Sequence, residues 1–438
     1  MEEVLEKICV ILLANLAFYF KTLGYKYVSD DLASYNRPRY TNKLVQAFWV
    51  LEGRSKSSPV NDHALTMIIH ALVCVGIYLG FGQNDVSFVA ALLFSFNPIN
   101  NQASVWISGR GYALSALGMV WALSIPFMAP LLLLGATYYN AGFLAPIAFI
   151  GSPYPILLIF MPLIWMYQWR NFNKNVYQRM STEMFAEDKR FHPKKLILAV
   201  KTFGFYLSHA IIPFKTTFYH STLESIAGCR KHKAYNLCRF FWVGLVSILG
   251  MLLYIYTHKW DMICFGMLWW CVCIAPYCNL VRMSQELAER YAYLPNCGLM
   301  FVLASLIYTN PVLVAVFVTM YAVKMWFFID CYQDEYFLME HSCMNSPDSW
   351  FAWHVRAMSR WNNKSYQEAL ILWVMAKNIN PKEFKLLFNI SAVLMIAGQK
   401  QEAMKFLKEA QDNIPEGQEQ EAGKLIKDFK EGKICVVM

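Results

Sequence analysis

The sequence predicts an all-α, polytopic membrane protein of about 11 transmembrane helices with a C-terminal module of paired helices. Hydrophobic residues make up 57% of the 438 residues and charged residues only 16%, whereas soluble chains carry about 25% charged residues. The apolar residues also stand in long blocks, close to the ~20 residues that cross a bilayer as a helix. Finally, a spacing of 34 residues recurs in the more polar tail.

The apolar blocks define the predicted membrane spans. Residues 86–97 are short for a full crossing, so this segment is expected to be tilted or re-entrant. Six prolines between residues 125 and 169 introduce kinks, which leave the number of crossings in that region open. The predicted spans are residues 5–24, 64–81, 86–97, 105–124, 127–150, 154–169, 196–213, 237–256, 262–279, 294–308 and 312–328.

Basic residues in the loops orient these spans. Loop 170–195 carries seven Lys and Arg residues, which places it in the cytoplasm. Counting the spans then puts the N-terminus in the cytoplasm and places loop 25–62 and the tail outside. Loop 25–62 has six basic residues of its own, which weakens the rule here and offers a second interpretation, that basic groups outside bind a phosphate. We therefore predict a transmembrane domain at 1–329 and an extracytoplasmic helical domain at 330–438.

The tail contains an internal repeat. Small residues and a proline recur at an interval of 34, which is the spacing of tetratricopeptide helix pairs. Small residues let two helices of a pair approach closely, and proline ends the second helix. The alternative is an ordinary helical tail. The matching pairs are Ala369 with Ala403, Ala376 with Ala410, Pro381 with Pro415, Trp353 with Leu387, and Trp373 with Leu407.

The net charge of +9 does not indicate nucleic-acid binding. Much of the basic charge lies in loops that flank spans, where topology and lipid headgroups explain it. The 12 cysteines form no evident disulfide framework and lack the spacing of a zinc site. The composition therefore predicts membrane lipid as a partner and excludes nucleic acid from the expected partners.

Two adjacent carboxylates, Asp30 and Asp31, follow the first predicted span. Carboxylates at this place are hydrated but close to the membrane surface, where an enzyme acting on a lipid-linked substrate needs a base. One of them is a candidate to accept a proton from a hydroxyl group. The other would orient the acceptor, bind a metal or cap a helix near Leu32. The alternative is a solvated loop.

Two further polar stretches contain candidate residues for binding a phosphate or a sugar. Arg110 follows a polar segment inside apolar sequence, and an arginine at membrane depth commonly faces a polar cavity or a phosphate. Its alternative role is to reach the interface with its long side chain. Arg290 precedes a span and is a second candidate to clamp a phosphate, with Tyr291 or Tyr293 stacking on a sugar. The alternative for this second stretch is an interfacial belt of Tyr and Arg.

These stretches, in this order, resemble a family of membrane glycosyltransferases. The resemblance rests on the segments 27–31, 97–110, 205–214 and 288–295, of which the last, with Glu289-Arg290-Tyr291 and Pro295, is the most specific. The family comprises the transmembrane and tetratricopeptide-repeat-containing O-mannosyltransferases and their bacterial relatives. The chain departs from the family pattern at Asn97 and Asn100, where relatives carry histidine, and at 111–112.

The resemblance implies the C-type glycosyltransferase (GT-C) fold and a polyprenyl-phosphate sugar donor. It implies transfer of a hexose, with mannose as one option, to a protein Ser/Thr or a surface glycan on the extracytoplasmic face. Such a protein is multi-pass, in the inner membrane if bacterial. Two alternatives stay open: a transferase acting on lipopolysaccharide O-antigen or another surface polysaccharide, and an inactive scaffold that binds partners through its repeats.

The resemblance also distributes roles among residues. Asp31, slightly preferred over Asp30, would be the catalytic base. No metal ligand is assigned and no cofactor is required, although a divalent metal is left open. The donor phosphate and sugar would be bound by Arg110, Arg290, Tyr291, Glu289, His209 and Lys215.

Overall fold

A computed structural model of the protein describes most of the chain, and its regular structure is helical. The described residues are 2–35, 50–51, 53, 57–138, 193–221, 237–258, 260–280, 285–415 and 418–437. These residues contain α-helices and short 3₁₀ turns but no β-strand. The predicted all-α class is therefore confirmed for them.

The chain divides into two compact units, residues 1–216 with 226–334 and residues 217–225 with 335–438. The sequence placed this division at 329/330. Twelve described α-helices belong to the first unit, and we number them in chain order. They are α1 (Glu2–Tyr19), α2 (Asp30–Tyr35), α3 (Pro59–Gly80), α4 (Asp85–Phe96), α5 (Asn101–Ser104), α6 (Arg110–Ser124), α7 (Ala129–Tyr138), α8 (Pro193–Ile211), α9 (Arg239–Thr257), α10 (Met262–Ile274), α11 (Tyr293–Ile307) and α12 (Pro311–Phe328).

Several of these helices begin at residues that satisfy the free N–H groups of a first turn. The Ser58 side chain accepts from Asn61 N, and proline occupies the first position of α3. Asn310 accepts from two backbone N–H groups at the start of α12, again followed by proline. Asn84 forms a reciprocal capping box with Ser87 in α4. These caps mark where individual apolar helices begin, which the hydropathy pattern alone does not define.

Among the described residues, three helical segments are long and apolar enough to cross a membrane: Pro59–Gly80, Arg239–Thr257 and Pro311–Gln333. Large apolar side chains on α9 and α12 are exposed, as expected for surfaces that face lipid. The predicted count of about 11 crossings is not confirmed, because other described helices are too short or too charged to qualify by length and composition. The predicted span at 154–169 lies outside the described residues.

Glycines allow close packing between α8 and α9. A Cβ atom on Gly204 would lie 2.0 Å from the carbonyl oxygen of Phe240, and one on Gly244 would lie 2.2 Å from the carbonyl oxygen of Val200. Such contacts are too close for any side chain. The two backbones thus touch directly, which is the packing that small residues permit between apolar helices.

The second unit contains helix pairs that repeat along the chain. Two pairs begin at Trp350 and Phe384, which are 34 residues apart, and Ala369, Ala376, Ala403 and Ala410 are fully buried between helices. Small side chains at these positions let neighbouring helices approach closely. The described helices of this unit are α13 (Glu335–Asn345), α14 (Trp350–Asn362), α15 (Tyr366–Ile379), α16 (Phe384–Ile396), α17 (Lys400–Gln411) and α18 (Glu419–Lys430).

Candidate active site

The two predicted catalytic carboxylates lie in different environments. Asp30 is the first residue of α2 and is exposed, whereas Asp31 is fully buried. One Asp31 carboxylate oxygen accepts hydrogen bonds from the backbone N–H of Ser108 at 2.9 Å and from its hydroxyl group at 2.5 Å. A buried carboxylate needs such donors to offset its loss of water. Of this pair, Asp30 is the residue that solvent reaches directly.

Arg110 lies fully buried at the start of α6 and is bound by protein acceptors. Its Nε donates to the Thr66 hydroxyl at 3.0 Å, one terminal nitrogen donates to the Val50 carbonyl at 2.6 Å, and the other donates to the Asp62 carbonyl at 2.6 Å. The second terminal nitrogen also lies 3.7 Å from the Asp62 carboxylate. Arg110 therefore links α6 to the start of α3, and its predicted contact with a donor phosphate stays a prediction.

Asp62 is the partner of Arg110 that sequence analysis missed. Its carboxylate is fully buried and accepts from the Tyr27 hydroxyl at 2.8 Å and from Ser57 N at 3.0 Å. A carboxylate in the first turn of an apolar helix was the available signal, because it must find a partner at that depth. Asp62 and Tyr27 thus connect α3 to the segment just before the acidic pair.

A third buried carboxylate, Glu289, lies beside His209. His209 Nε2 is 3.1 Å from one oxygen of Glu289, and the Asn101 side-chain amide donates to the other. Both residues of the pair are fully buried, and His209 also stacks on Phe205. The Tyr332 hydroxyl donates to the side-chain oxygen of Asn101 and completes the group. The structure therefore brings two predicted donor-binding residues into direct contact.

Arg290 is almost fully buried, at 9% exposure, but its hydrogen bonds go to neutral side chains. One terminal nitrogen donates to Gln102 at 2.9 Å and the other to Gln285 at 3.3 Å. The guanidinium also lies over the rings of Trp106 and Tyr291, at 5.7 and 5.0 Å from their centroids. It forms no ion pair with any carboxylate in the described parts of the chain. A buried guanidinium with only neutral acceptors is suited to receive an anion.

Arg290 keeps its charge despite this burial. Burial lowers the pKa of its guanidinium, but interactions with Tyr291, Tyr112 and the exposed Asp30 outweigh that effect and leave the pKa raised. The negative charge of Asp30 thus contributes to the raised pKa of Arg290. This electrostatic contribution connects the exposed carboxylate of the acidic pair with the arginine that was predicted to bind the phosphate.

The polar segment 101–109 joins these groups. Asn101 contacts Glu289, and the next residue, Gln102, contacts Arg290, so neighbouring residues of one segment bind neighbouring residues of another. Ser108, near its end, holds Asp31. The fold therefore brings the acidic pair, this segment and the 289–290 pair together, although they are far apart in sequence.

Gly109 allows this segment to fold tightly. A Cβ atom on Gly109 would lie 1.9 Å from the carbonyl oxygen of Gln102, so any side chain would force the segment to move. Sequence analysis singled out Arg110, which directly follows this segment, but named no role for Asn101, Gln102 or Ser108. Their amide and hydroxyl groups lie between apolar spans, which is the signal that was available.

Two other residues, Tyr291 and Lys215, were also predicted to bind the sugar or phosphate. Tyr291 is buried and its ring stacks on Tyr277, with centroids 4.7 Å apart. Lys215 is half-buried, lies four residues after α8, and makes no hydrogen bond or ion pair with the described residues. The predicted contacts of both with a sugar or phosphate stay predictions.

The pair His209 and Glu289 also bears on metal binding. An imidazole nitrogen and a carboxylate oxygen are ligand types of divalent cations. Here His209 Nε2 and one Glu289 oxygen form a hydrogen bond with each other. A divalent metal therefore stays an open prediction, and no step proposed below depends on one.

Comparisons of this chain with protein families, with curated proteins and with solved structures found no match.

Proposed function

We propose that this protein is a GT-C-type membrane glycosyltransferase, similar to the transmembrane and tetratricopeptide-repeat-containing O-mannosyltransferases. It transfers a hexose from a polyprenyl-phosphate sugar to a hydroxyl group of a protein Ser/Thr or a surface glycan. The observation that carries the proposal is Arg290, a buried guanidinium that hydrogen-bonds only neutral groups in the described chain.

Arg290 is the proposed phosphate ligand. Arginine matches phosphate geometry through two parallel hydrogen bonds, and its attraction to an anion is strong where water is excluded. Gln102 and Gln285 hold the guanidinium without neutralising it. Arg110, by contrast, already has the carboxylate of Asp62 beside it. Of the two arginines named from the sequence, the proposal therefore assigns the phosphate to Arg290.

Asp30 is the proposed base, in place of the slight sequence-based preference for Asp31. A base must reach the acceptor proton, and Asp30 is exposed while Asp31 is buried and bound by Ser108. Asp31 is then a positioning residue that fixes the start of α2 against Ser108.

The proposed reaction is a single displacement. The Asp30 carboxylate accepts the proton of the acceptor hydroxyl as the hydroxyl oxygen forms a bond to the anomeric carbon. The bond from that carbon to the phosphate oxygen breaks, and polyprenyl phosphate leaves with the bonding electron pair. Arg290 stabilises the negative charge that grows on the leaving phosphate. Attack from the opposite face inverts the anomeric configuration.

The proposed membrane arrangement places about 11 crossings before residue 330. The acidic pair and the tetratricopeptide-like tail then lie on the extracytoplasmic face, where lipid-linked sugars are used. A multi-pass location in the cell membrane, the inner one if bacterial, follows. The three apolar helices support membrane insertion, and the 34-residue repeat of helix pairs supports the assignment of the tail.

The experiment compares Asp30→Asn with Asp31→Asn in purified protein supplied with polyprenyl-phosphate hexoses and with peptide or glycan acceptors. Loss of the base should lower turnover about 10²–10⁴-fold in Asp30→Asn while donor binding is retained. Asp31→Asn should lower thermal stability and reduce turnover less. Mass spectrometry of the product identifies the acceptor class.

Asp85→Asn serves as the control, because Asp85 is an exposed aspartate paired with Lys7. It should behave as the unaltered chain. Full activity of folded Asp30→Asn would refute the base assignment. If the unaltered protein does not bind, hydrolyse or transfer any lipid-linked sugar, the proposed transferase activity is refuted. That result would favour a scaffold that recruits partners.

A further inference from the structure

Arg290 lies in a single 3₁₀ turn, Glu289–Ala292, which leads into helix α11. The N–H of Tyr291 donates to the Ala288 carbonyl, and the N–H of Tyr293 donates to the Arg290 carbonyl. A turn this short has few hydrogen bonds of its own, so the groups at its two ends set its direction. Ala288 and Tyr293 therefore bound the segment that carries the candidate phosphate ligand.

Tyr206, in α8, holds the first end of the turn. Its side chain is fully buried, and its hydroxyl accepts a hydrogen bond from the Ala288 N–H at 3.0 Å and donates one to the Ala288 carbonyl at 3.2 Å. One phenol thus satisfies both backbone groups of the residue that precedes Glu289. Because buried phenol and peptide groups all need partners, this contact fixes the turn against α8.

His70, in the apolar helix α3, holds the second end of the turn through Tyr293. Its Nδ1 lies 2.6 Å from the Tyr293 hydroxyl, and its Nε2 lies 3.1 Å from the Ser95 carbonyl of α4. A carbonyl oxygen only accepts, so in the neutral imidazole Nε2 carries the hydrogen and Nδ1 accepts from the phenol. Both His70 and Tyr293 are fully buried. The imidazole therefore links α3, α4 and α11 at the residue where α11 begins.

These contacts bear on the orientation of the Arg290 side chain. A guanidinium binds a phosphate through two parallel N–H groups, so its direction decides whether both hydrogen bonds form. Gln102 and Gln285 contact the guanidinium itself, whereas Tyr206 and Tyr293 hold the backbone from which the side chain leaves. A displacement of about 1 Å at a binding group costs up to about 10²-fold in rate. Fixing this backbone is therefore as important for phosphate binding as keeping the charge.

We propose that Tyr206, His70 and Tyr293, here called the turn anchors, are positioning residues that orient Arg290 towards the lipid phosphate. All three side chains are fully buried, so they act through the backbone at the two ends of the turn and not by touching the substrate. The inference rests on the proposed transferase function for its substrate, whereas the positioning of the turn is measured separately.

The first measurement needs no substrate. Tyr206→Phe and Tyr293→Phe each remove one hydroxyl group and keep the ring, so the packing around the ring is preserved. In each purified full-length variant, hydrogen exchange in the peptide that covers residues 286–293 should accelerate about 5-fold or more, because hydrogen bonds that hold the turn are lost. Exchange in the second half of α11 should stay as slow as in the unaltered chain.

Ser115→Ala is the matched control for this measurement. Ser115 is also fully buried, and its hydroxyl donates to the Ala136 carbonyl at 2.7 Å, which joins α6 to α7. The substitution removes a buried hydroxyl group but leaves the turn anchors intact. Exchange in residues 286–293 should therefore not change.

The second measurement determines whether the anchors act through Arg290. The affinity for a fluorescent polyprenyl-phosphate hexose is compared in the unaltered chain, Tyr206→Phe, Arg290→Gln and the double variant. Tyr206→Phe should lower the affinity about 5-fold when Arg290 is present and less than about 2-fold in the Arg290→Gln chain, where the misplaced group is already absent. The same cycle applies to Tyr293→Phe. Additive losses would show that the hydroxyl groups only stabilise the fold, and would overturn the proposal.

His70 is tested by a conservative and a disruptive substitution. His70→Asn keeps an acceptor oxygen near the place of Nδ1, whereas His70→Leu offers the Tyr293 hydroxyl no acceptor. Donor affinity should therefore fall less in His70→Asn than in His70→Leu, at equal amounts of folded protein. Equal losses in the two variants would remove His70 from the anchors.

The two measurements separate a failure of this inference from a failure of the proposed function. Unchanged exchange in residues 286–293 of both Tyr→Phe variants would overturn the turn anchors, whatever the activity of the chain. Accelerated exchange in a protein whose unaltered form binds no lipid-linked sugar would refute the transferase and still support the positioning of Arg290 by these residues.

Discussion

Arg290 donates to the side-chain oxygen of Gln102 at 2.9 Å, and the backbone N–H of Arg290 lies 3.4 Å from the same oxygen. A single neutral acceptor therefore positions both the main chain and the guanidinium of the candidate phosphate ligand. Because Gln102 carries no charge, it orients Arg290 without neutralising the positive charge of the guanidinium.

Replacing Gln102 by glutamate should test this relationship. Gln102→Glu keeps the size and one acceptor oxygen but adds a carboxylate that forms an ion pair with Arg290. We expect thermal stability to be preserved and the affinity for a polyprenyl-phosphate sugar to fall at least ~10-fold, because the new carboxylate competes with the phosphate. Binding is measured with a fluorescent donor analogue. Gln102→Met, which removes the acceptor without adding charge, should weaken binding less than glutamate does, and the reverse order would contradict the phosphate role.

Arg110 should behave as a structural residue. Arg110→Gln leaves the buried carboxylate of Asp62 without its counter-charge, and loss of one partner of a buried ion pair costs about 3–5 kcal/mol. We expect a large fall in the thermal midpoint or in expression. Arg110→Gln combined with Asp62→Asn should recover part of the loss, because no buried charge is then left unpaired. A stable Arg110→Gln chain that has lost only donor binding would instead favour the phosphate role predicted from the sequence.

Gly109→Ala should disturb the candidate site through the backbone. The added Cβ would meet the carbonyl oxygen of Gln102 at 1.9 Å, and overpacking of this kind costs about 1–3 kcal/mol. Gly135→Ala is the matched control, because Gly135 lies in a helix and a Cβ there meets no atom within 4 Å. We expect the control to be neutral or slightly stabilising. Equal thermal midpoints of the two variants would contradict the tight packing at Gly109.

The second unit should lose stability in acid because of His354. Burial lowers the pKa of this histidine to about 3, and its Nδ1 accepts a hydrogen bond from Trp373 Nε1 at 3.1 Å. The unfolded chain binds a proton near pH 6.5 and the folded unit does not, so stability falls as the pH drops from about 6.5 towards 3. At pH 5 the loss should be about 2 kcal/mol.

Hydrogen exchange in α14 and α15 measures this loss in the whole chain, with the exchange rates corrected for their intrinsic dependence on pH. His354→Gln should remove most of the slope between pH 6.5 and 5, while lowering stability at neutral pH through the loss of packing. A slope that persists in His354→Gln would assign the acid sensitivity to other groups.

The helical class followed from composition and hydropathy, and the described helices overlap ten of the predicted spans. The number of crossings did not follow as firmly, because only three of the described helices satisfy both the length and the composition of a span. Short helices and buried polar residues such as Asn101 interrupt the apolar pattern, and hydropathy averages over these details. The 34-residue repeat could be detected in the sequence because the small residues that are buried between the helices of one pair recur 34 residues later in the next pair.

The sequence by itself determined the helical class and the residue types available for chemistry, because these depend on composition and local spacing. Only the tertiary structure decided which groups meet. In the folded chain, Arg110 lies beside Asp62 and Arg290 donates a hydrogen bond to Gln102. His209 contacts Glu289. Asp31 is buried, whereas Asp30 is exposed. Burial and charge pairing are properties of contacts between distant segments, so no local pattern encodes which of two adjacent carboxylates reaches solvent.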